Sequence, residues 1–226
     1  MTVDQMFPHR ITILTGHYGT GKTECSVNLA LSLAECVPNV ILADLDIVNP
    51  YFRSRERKLD LEQAGVELIA TSDACIHADV PSLPPRLMRV FDDSGCRCVL
   101  DIGGDPVGAR VLARYQSRLR NDDFQMLFVL NANRPEVRTP EQAAQYMKNI
   151  ESVTGLPYSG ILNNTHLCSE TTPHDILSGA VLAQETARLT GVPLVCHAVR
   201  RDFLSQLSEL KEPIFPINIM MKKPWE

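Results

Sequence analysis

The chain has 226 residues, of which 44% are apolar and 22% charged, the balance of an ordinary globular protein with one large core. Its net charge of −5 argues against a nucleic-acid or anionic-membrane partner, both of which recruit an excess of Lys and Arg. No run approaches the length of a membrane span and the opening residues MTVDQMFPHR lack a signal-peptide core, so the expectation is a cytoplasmic protein with seven free thiols.

In chain order, short apolar runs alternate with longer stretches of helical period. Strands are predicted at Ile11–Thr15, Val40–Leu45, Val66–Ala70, Cys98–Ile102, Gln125–Asn131, Ser159–Asn163 and Leu194–Val199. Helices are predicted at Lys22–Cys36, Pro85–Asp93, Ala109–Leu119, Pro140–Thr154 and His174–Leu189. The last two end at Gly155 and Gly191, each followed closely by a proline. Continuous apolar strands joined through helices predict an α/β fold, a doubly wound and mostly parallel sheet flanked by helices, as one domain over residues 1–226. In such a sheet, ligands bind at the carboxyl ends of the strands. The segment Thr71–Pro85, rich in Pro, Asp and Ser, reads as a loop.

The first predicted strand runs into Gly16-His17-Tyr18-Gly19-Thr20-Gly21-Lys22-Thr23, a full match to G-x-x-x-x-G-K-[ST] between a strand and a helix. Gly19 and Gly21 let consecutive N–H groups turn toward phosphate oxygens, and the helix start adds its positive dipole end. Lys22 is expected at the β/γ-phosphates and Thr23 on Mg²⁺. Such a site needs a carboxylate at a neighbouring strand tip. Two segments supply one: Asp101-Ile102-Gly103-Gly104, where a glycine N–H can sense the γ-phosphate, and Asp44-Leu45-Asp46, where Asp46 is placed to orient water and Asp44 to hold a metal-bound water. A turn- or helix-capping role is the other reading for each of these aspartates.

With these pieces in place the chain resembles the MinD/ParA-like branch (SIMIBI class) of the P-loop ATPases. Asp44-Leu45-Asp46-Ile47 with Asn49 and Arg53 is similar to the first switch of that class, and Asp101-Ile102-Gly103-Gly104 to its second. Asn131-Ala132-Asn133-Arg134-Pro135-Glu136 and Leu210-Lys211-Glu212-Pro213-Ile214 resemble two later elements in the right order. The resemblance implies ATP and Mg²⁺ as cofactors, hydrolysis as the activity, a protein client and a homodimer. It departs at one place: His17 and Tyr18 stand where many members carry a second lysine that reaches across the dimer.

Asn163-Asn164-Thr165-His166 lacks the lysine and aspartate of a guanine-reading N-K-x-D segment. ATP is therefore expected, with Asn163 and Asn164 near the base or making the turn, and Val199-Arg200-Arg201-Asp202 over its other face. Cys96-Arg97-Cys98 enters a predicted strand, so its two thiols share a face as packing groups or as half of a dimer-shared metal site. The basic run Arg53–Lys58 is a solvated loop and helix start or a nucleotide-gated partner surface, and the tail Ile217–Glu226 is too short for an amphipathic membrane anchor. Two rivals stand beside the ATPase switch. One is a small-molecule kinase or synthetase with an acceptor pocket in Asp73–Pro85, the other a nucleotide-binding module with little turnover.

Overall fold

The structure is a computed structural model that describes residues 1–46, 54–70 and 85–221. Asn49, Arg53, His77, most of the Asp73–Pro85 loop and the last five residues lie outside the described residues. Eight strands form one sheet among the described residues: β1 (Ile11–Thr15), β2 (Val40–Asp44), β3 (Val66–Ala70), β4 (Arg97–Asp101), β5 (Phe124–Leu130), β6 (Gly160–Asn163), β7 (Leu194–Arg200) and β8 (Ile214–Ile217). Their order is β3-β2-β4-β1-β5-β6-β7-β8, and every adjacent pair is parallel.

The parallel arrangement follows from residue type. β1, β2 and β6 are buried at every position, which only a sheet covered on both faces permits. Alternate residues feed two cores. Ile11 and Ile13 of β1 pack with Leu100, Met126, Phe128, Ala143 and Met147 on one face. Leu14 packs with Val27, Leu29, Leu42, Val99 and Phe215 on the other.

Eight α-helical segments accompany the strands among the described residues: α1 (Val3–Met6), α2 (Lys22–Ala34), α3 (Lys58–Gln63), α4 (Arg89–Asp92), α5 (Pro106–Ala109), α6 (Gln116–Arg120), α7 (Pro140–Thr154) and α8 (Pro173–Thr190). The two longest are punctuated at both ends. Thr139 with Gln142, and Thr172 with Asp175, make reciprocal capping boxes before a proline at the first helical position. Gly155 and Gly191 close them with positive φ and return an N–H to Glu151 and Ala187. Helix α2 packs on one face of the sheet and α7 and α8 on the other.

Two predicted elements are corrected. The helix expected over Ala109–Leu119 is three pieces: α5 begins earlier, where Asp105 caps the Gly108 N–H at 2.6 Å, then a 3₁₀ segment spans Arg110–Tyr115 before α6. The helix expected over Pro85–Asp93 opens as a 3₁₀ turn, Pro85–Met88, before α4. The helix start expected in the Arg53–Lys58 run leads into α3, whereas α1 and the edge strand β8 had no counterpart in the sequence reading; β8 carries Pro216 where an edge tolerates the missing N–H.

Candidate nucleotide site

The connection from β1 to α2 is the P-loop. Gly16 leaves the strand at φ +147°, where a Cβ would lie 2.3 Å from the Val129 carbonyl oxygen, and Gly21 caps α2 at φ +83°, where one would lie 2.3 Å from Asn164 Nδ2. Backbone conformation and space both require glycine at these two positions. The Thr20 hydroxyl and N–H both donate to the His17 carbonyl, at 2.9 and 3.2 Å, and so close the loop on itself. Thr23 follows in the first turn of α2, buried.

Lys22 is 6% exposed and donates from Nζ to the His17 carbonyl at 3.3 Å. Burial pushes its ammonium below the ordinary lysine range, while Asp101, Asp46 and Asp105 draw it back up. The charges of three aspartates thus act on one lysine. Asp101 ends β4, beside β1, and both of its buried carboxylate oxygens lack a hydrogen-bond partner of ordinary geometry among the described residues. Burial first and neighbouring Asp44 second raise its carboxyl to about 8, against the pull of the Thr23 hydroxyl and Lys22. Hard oxygen donors crowded in this way (Thr23, Asp44 and Asp101) fit a divalent cation such as Mg²⁺ and its waters.

Asp44 ends β2, and its carboxylate accepts from the N–H groups of Asp46 and Ser54, each at 3.2 Å. It therefore holds the backbone at Asp46 and Ser54 as well as adding negative charge to the site. The Asp46 carboxylate reaches the D-x-x-G segment: a Cβ on Gly103 would stand 3.2 Å from Asp46 Oδ1. Gly104 lies directly over the P-loop, where a Cβ would be 2.8 Å from both Lys22 Nζ and the Tyr18 N. The carbonyl of Gly104 accepts from the Tyr146 hydroxyl on α7. His17, which stands where the resemblance has a lysine, packs edge-on to the Tyr146 ring and approaches Glu136 at 3.6 Å. Tyr18 is exposed.

Lys22, Thr23, Asp44, Asp46, Asp101 and Gly104 are thereby brought together at the carboxyl ends of β1, β2 and β4. The two asparagines lie two strands from β1, Asn163 ending β6 and Asn164 just after it. Asn163 is buried, with Nδ2 against His197 Nδ1 at 3.0 Å and Oδ1 accepting from the Thr165 N–H and hydroxyl. Asn164 donates from Nδ2 to the Thr20 carbonyl at 2.8 Å, tying the P-loop to the end of β6. His166 lies beside it, buried against Gly21, and burial together with the Arg134 charge lowers it to about 4. Arg200 turns to Asp202 and lies over the Phe203 ring.

Residues the sequence reading did not place in the site surround it. Arg134 donates from Nε to the Gly19 carbonyl at 2.7 Å, and Tyr146 reaches Gly104 as described. Cys96 and Cys98 share a face, with their sulfurs 3.3 Å apart beside Arg10, at the opposite end of β4 from Asp101. No cluster of three or more metal-ligating side chains of the His, Cys, Asp and Glu type occurs among the described residues. No helix among them is long and apolar enough to cross a membrane.

No family model and no curated protein matches the sequence. The chain is similar in structure to the 54 kDa signal recognition particle protein from Aeropyrum pernix in complex with GDP, with 23% identity, a TM-score of 0.53, and coverage of 82% of this chain and 40% of that one. It is also similar to the cell division protein FtsY from Thermotoga maritima, with 19% identity, a TM-score of 0.57, and coverage of 83% and 60%. A third similar structure is the signal recognition particle receptor FtsY from Elizabethkingia anophelis in complex with GDP, with 15% identity, a TM-score of 0.52, and coverage of 82% and 56%. This chain thus spans from 40% to 60% of the length of these structures. An all-parallel sheet flanked by helices is what it shares with them: the chain has the α/β fold of the P-loop NTPases.

Proposed function

We propose that the chain is a Mg²⁺-dependent ATPase acting in the cytoplasm as a molecular switch or energy-coupling factor for a protein client, with residues 1–226 as one nucleotide-binding domain. The observation that carries this reading is the convergence of Asp101, Asp46 and Gly104 on the buried Lys22 at the head of α2. Lys22 and the loop N–H groups would hold the phosphates, and Thr23 with Asp44 and Asp101 would hold Mg²⁺, which supplies charge neutralisation there. Asp46 would orient the attacking water, and Gly104 would report the terminal phosphate through its N–H. A homodimer is part of the proposal, and Tyr18 of the loop and Val107 of α5 are exposed apolar groups that a partner could cover.

Adenine is favoured over guanine because His166 stands where an N-K-x-D segment places its aspartate, and an imidazole lacks that paired acceptor geometry. A second reading, GTP, takes its support from GDP in two of the similar structures.

Phosphate release from ATP with Mg²⁺, measured for the purified chain and for Lys22→Ala, tests the reading. Release is expected from the natural chain and a loss of about a hundredfold or more from the variant. Tight ATP binding without release would leave a binding module, and turnover only with an added small acceptor would make the chain a kinase. Calorimetry showing GTP bound about tenfold tighter than ATP, or ~1.4 kcal/mol, would overturn the adenine assignment.

A further inference from the structure

Arg134 stands in the turn between β5 and α7, a turn set by Asn131, whose carbonyl accepts from the Arg134 N–H at 3.0 Å and whose Oδ1 accepts from the Asn133 N–H at 3.0 Å. The backbone of Arg134 is extended, as the following Pro135 requires. From there the side chain crosses to the P-loop, and Nε donates to the Gly19 carbonyl at 2.7 Å. The rest of the guanidinium lies against the same residue: a Cβ on Gly19 would be 2.9 Å from Cζ and 3.2 Å from Nη2.

The half-buried guanidinium is not matched to a carboxylate among the described residues. Arg10, Arg97, Arg118 and Arg200 each meet an aspartate. Arg134 does not, and nearby Glu136 approaches His17 instead. Its terminal nitrogens make no hydrogen bond to any described residue, so one edge of a planar, permanently charged fork is braced and the other is free to donate. Lys22, the other cation of the loop, already shares its field with three aspartates. A polyphosphate placed on this loop would meet a positive charge that the protein has not otherwise compensated, in a group whose geometry suits bidentate donation to phosphate oxygens.

We propose that Arg134 is a phosphate-binding residue of the nucleotide site, its Nη groups donating to the polyphosphate while Nε holds the loop. This rests on the nucleotide-binding reading above. The competing role is that of a neutral brace for Gly19, and substitutions separate the two. Glutamine places an N–H donor where Nε stands, so Arg134→Gln retains the brace and loses the charge. Arg134→Ala loses both, and Arg134→Lys restores the charge alone.

The experiment is calorimetric titration of the natural chain and the three variants with the Mg²⁺ complexes of ATP and GTP, and with AMP and GMP. Circular dichroism melting confirms that each variant is folded. Arg134→Gln and Arg134→Ala are both expected to weaken triphosphate binding by about ten- to a hundredfold, Arg134→Lys less, and the loss for monophosphate is expected to be much smaller. A glutamine variant that binds triphosphate like the natural chain, or equal losses for mono- and triphosphate, would overturn the proposal. If the natural chain binds neither triphosphate, the nucleotide-binding reading itself fails, an outcome distinct from a triphosphate affinity that ignores the charge at Arg134.

Discussion

The Tyr146 hydroxyl donates its proton to the Gly104 carbonyl, a bond that ties the second turn of α7 to the glycine lying over Lys22. The same ring packs edge-on against His17 of the P-loop at a centroid distance of 5.4 Å. One side chain therefore touches both the P-loop and the Asp101–Gly104 segment. Tyr146→Phe keeps the ring and removes the bond. It is expected to destabilise the chain by about 0.5–1.5 kcal/mol in denaturant unfolding. Phosphate release at saturating nucleotide is expected to fall with little change in affinity; an unchanged release rate would show that the bond does not position Gly104.

Gly104→Ala probes the same place by adding volume. The new Cβ would meet the Tyr18 N at 2.8 Å as well as the flexible end of Lys22 at the same distance. The lysine can move and the P-loop backbone cannot without reshaping the phosphate site. A loss of phosphate release of about tenfold or more, ~1.4 kcal/mol in the barrier, is expected with a near-normal melting curve. Wild-type turnover would place Gly104 outside the site.

Asn164 separates loop support from base recognition. Its Nδ2 donates to the Thr20 carbonyl at 2.8 Å, so Asn164→Ala leaves a buried carbonyl without that donor and is expected to cost about 1–3 kcal/mol of stability. As a loop anchor it should weaken ATP and GTP alike. A change in the ratio of the two affinities would identify it as a base contact.

The buried imidazole of His166 makes a signed claim about pH. Burial, with Arg134 nearby, holds it at about 4, against an ordinary histidine near 6.5, although the Thr20 carbonyl draws it up. Between these values the unfolded chain binds more protons than the folded one. The stability contribution is therefore full above about 6.5 and is lost as pH falls toward 4. Burial shifts His197 in the same direction, so both act together. Denaturant midpoints measured from pH 7 to pH 4 should fall for the natural chain, and His166→Gln should flatten part of that slope, on the order of 1 kcal/mol over the window. Parallel slopes would refute the assignment.

What could be read from residues alone was whatever depended on neighbours in the chain. The P-loop is a contiguous pattern, and strand tips such as Asp44 and Asp101 follow from where an apolar run stops. The helical period from Pro140 and the stop at Gly155, followed closely by Pro157, placed α7 to the residue. Long-range choices left no local mark. Arg134 reaches Gly19 across 115 positions, and no spacing rule announces it. β8 was missed because it is four residues long and contains a proline, which argues against a strand unless its place at the sheet edge is already known. The pairings of Asn163 with His197 and of Asn164 with Thr20 likewise exist only once β6, β7 and the P-loop lie side by side.

The strand order has a further consequence for how the site comes into being. β1 precedes the other described strands in the chain, yet its two sheet neighbours are β4 and β5, with Ile11 beside Cys98 and Phe124. During translation at about 5–20 residues per second, an Ile- and Leu-rich strand and its glycine loop must wait for much of the chain before either edge is paired. Closing those contacts sacrifices the entropy of long loops, which slows folding. The P-loop is thus written early and seated late, and a nascent chain cut short before β5 would present β1 with an unpaired edge, the kind of surface that chaperones and aggregation both find.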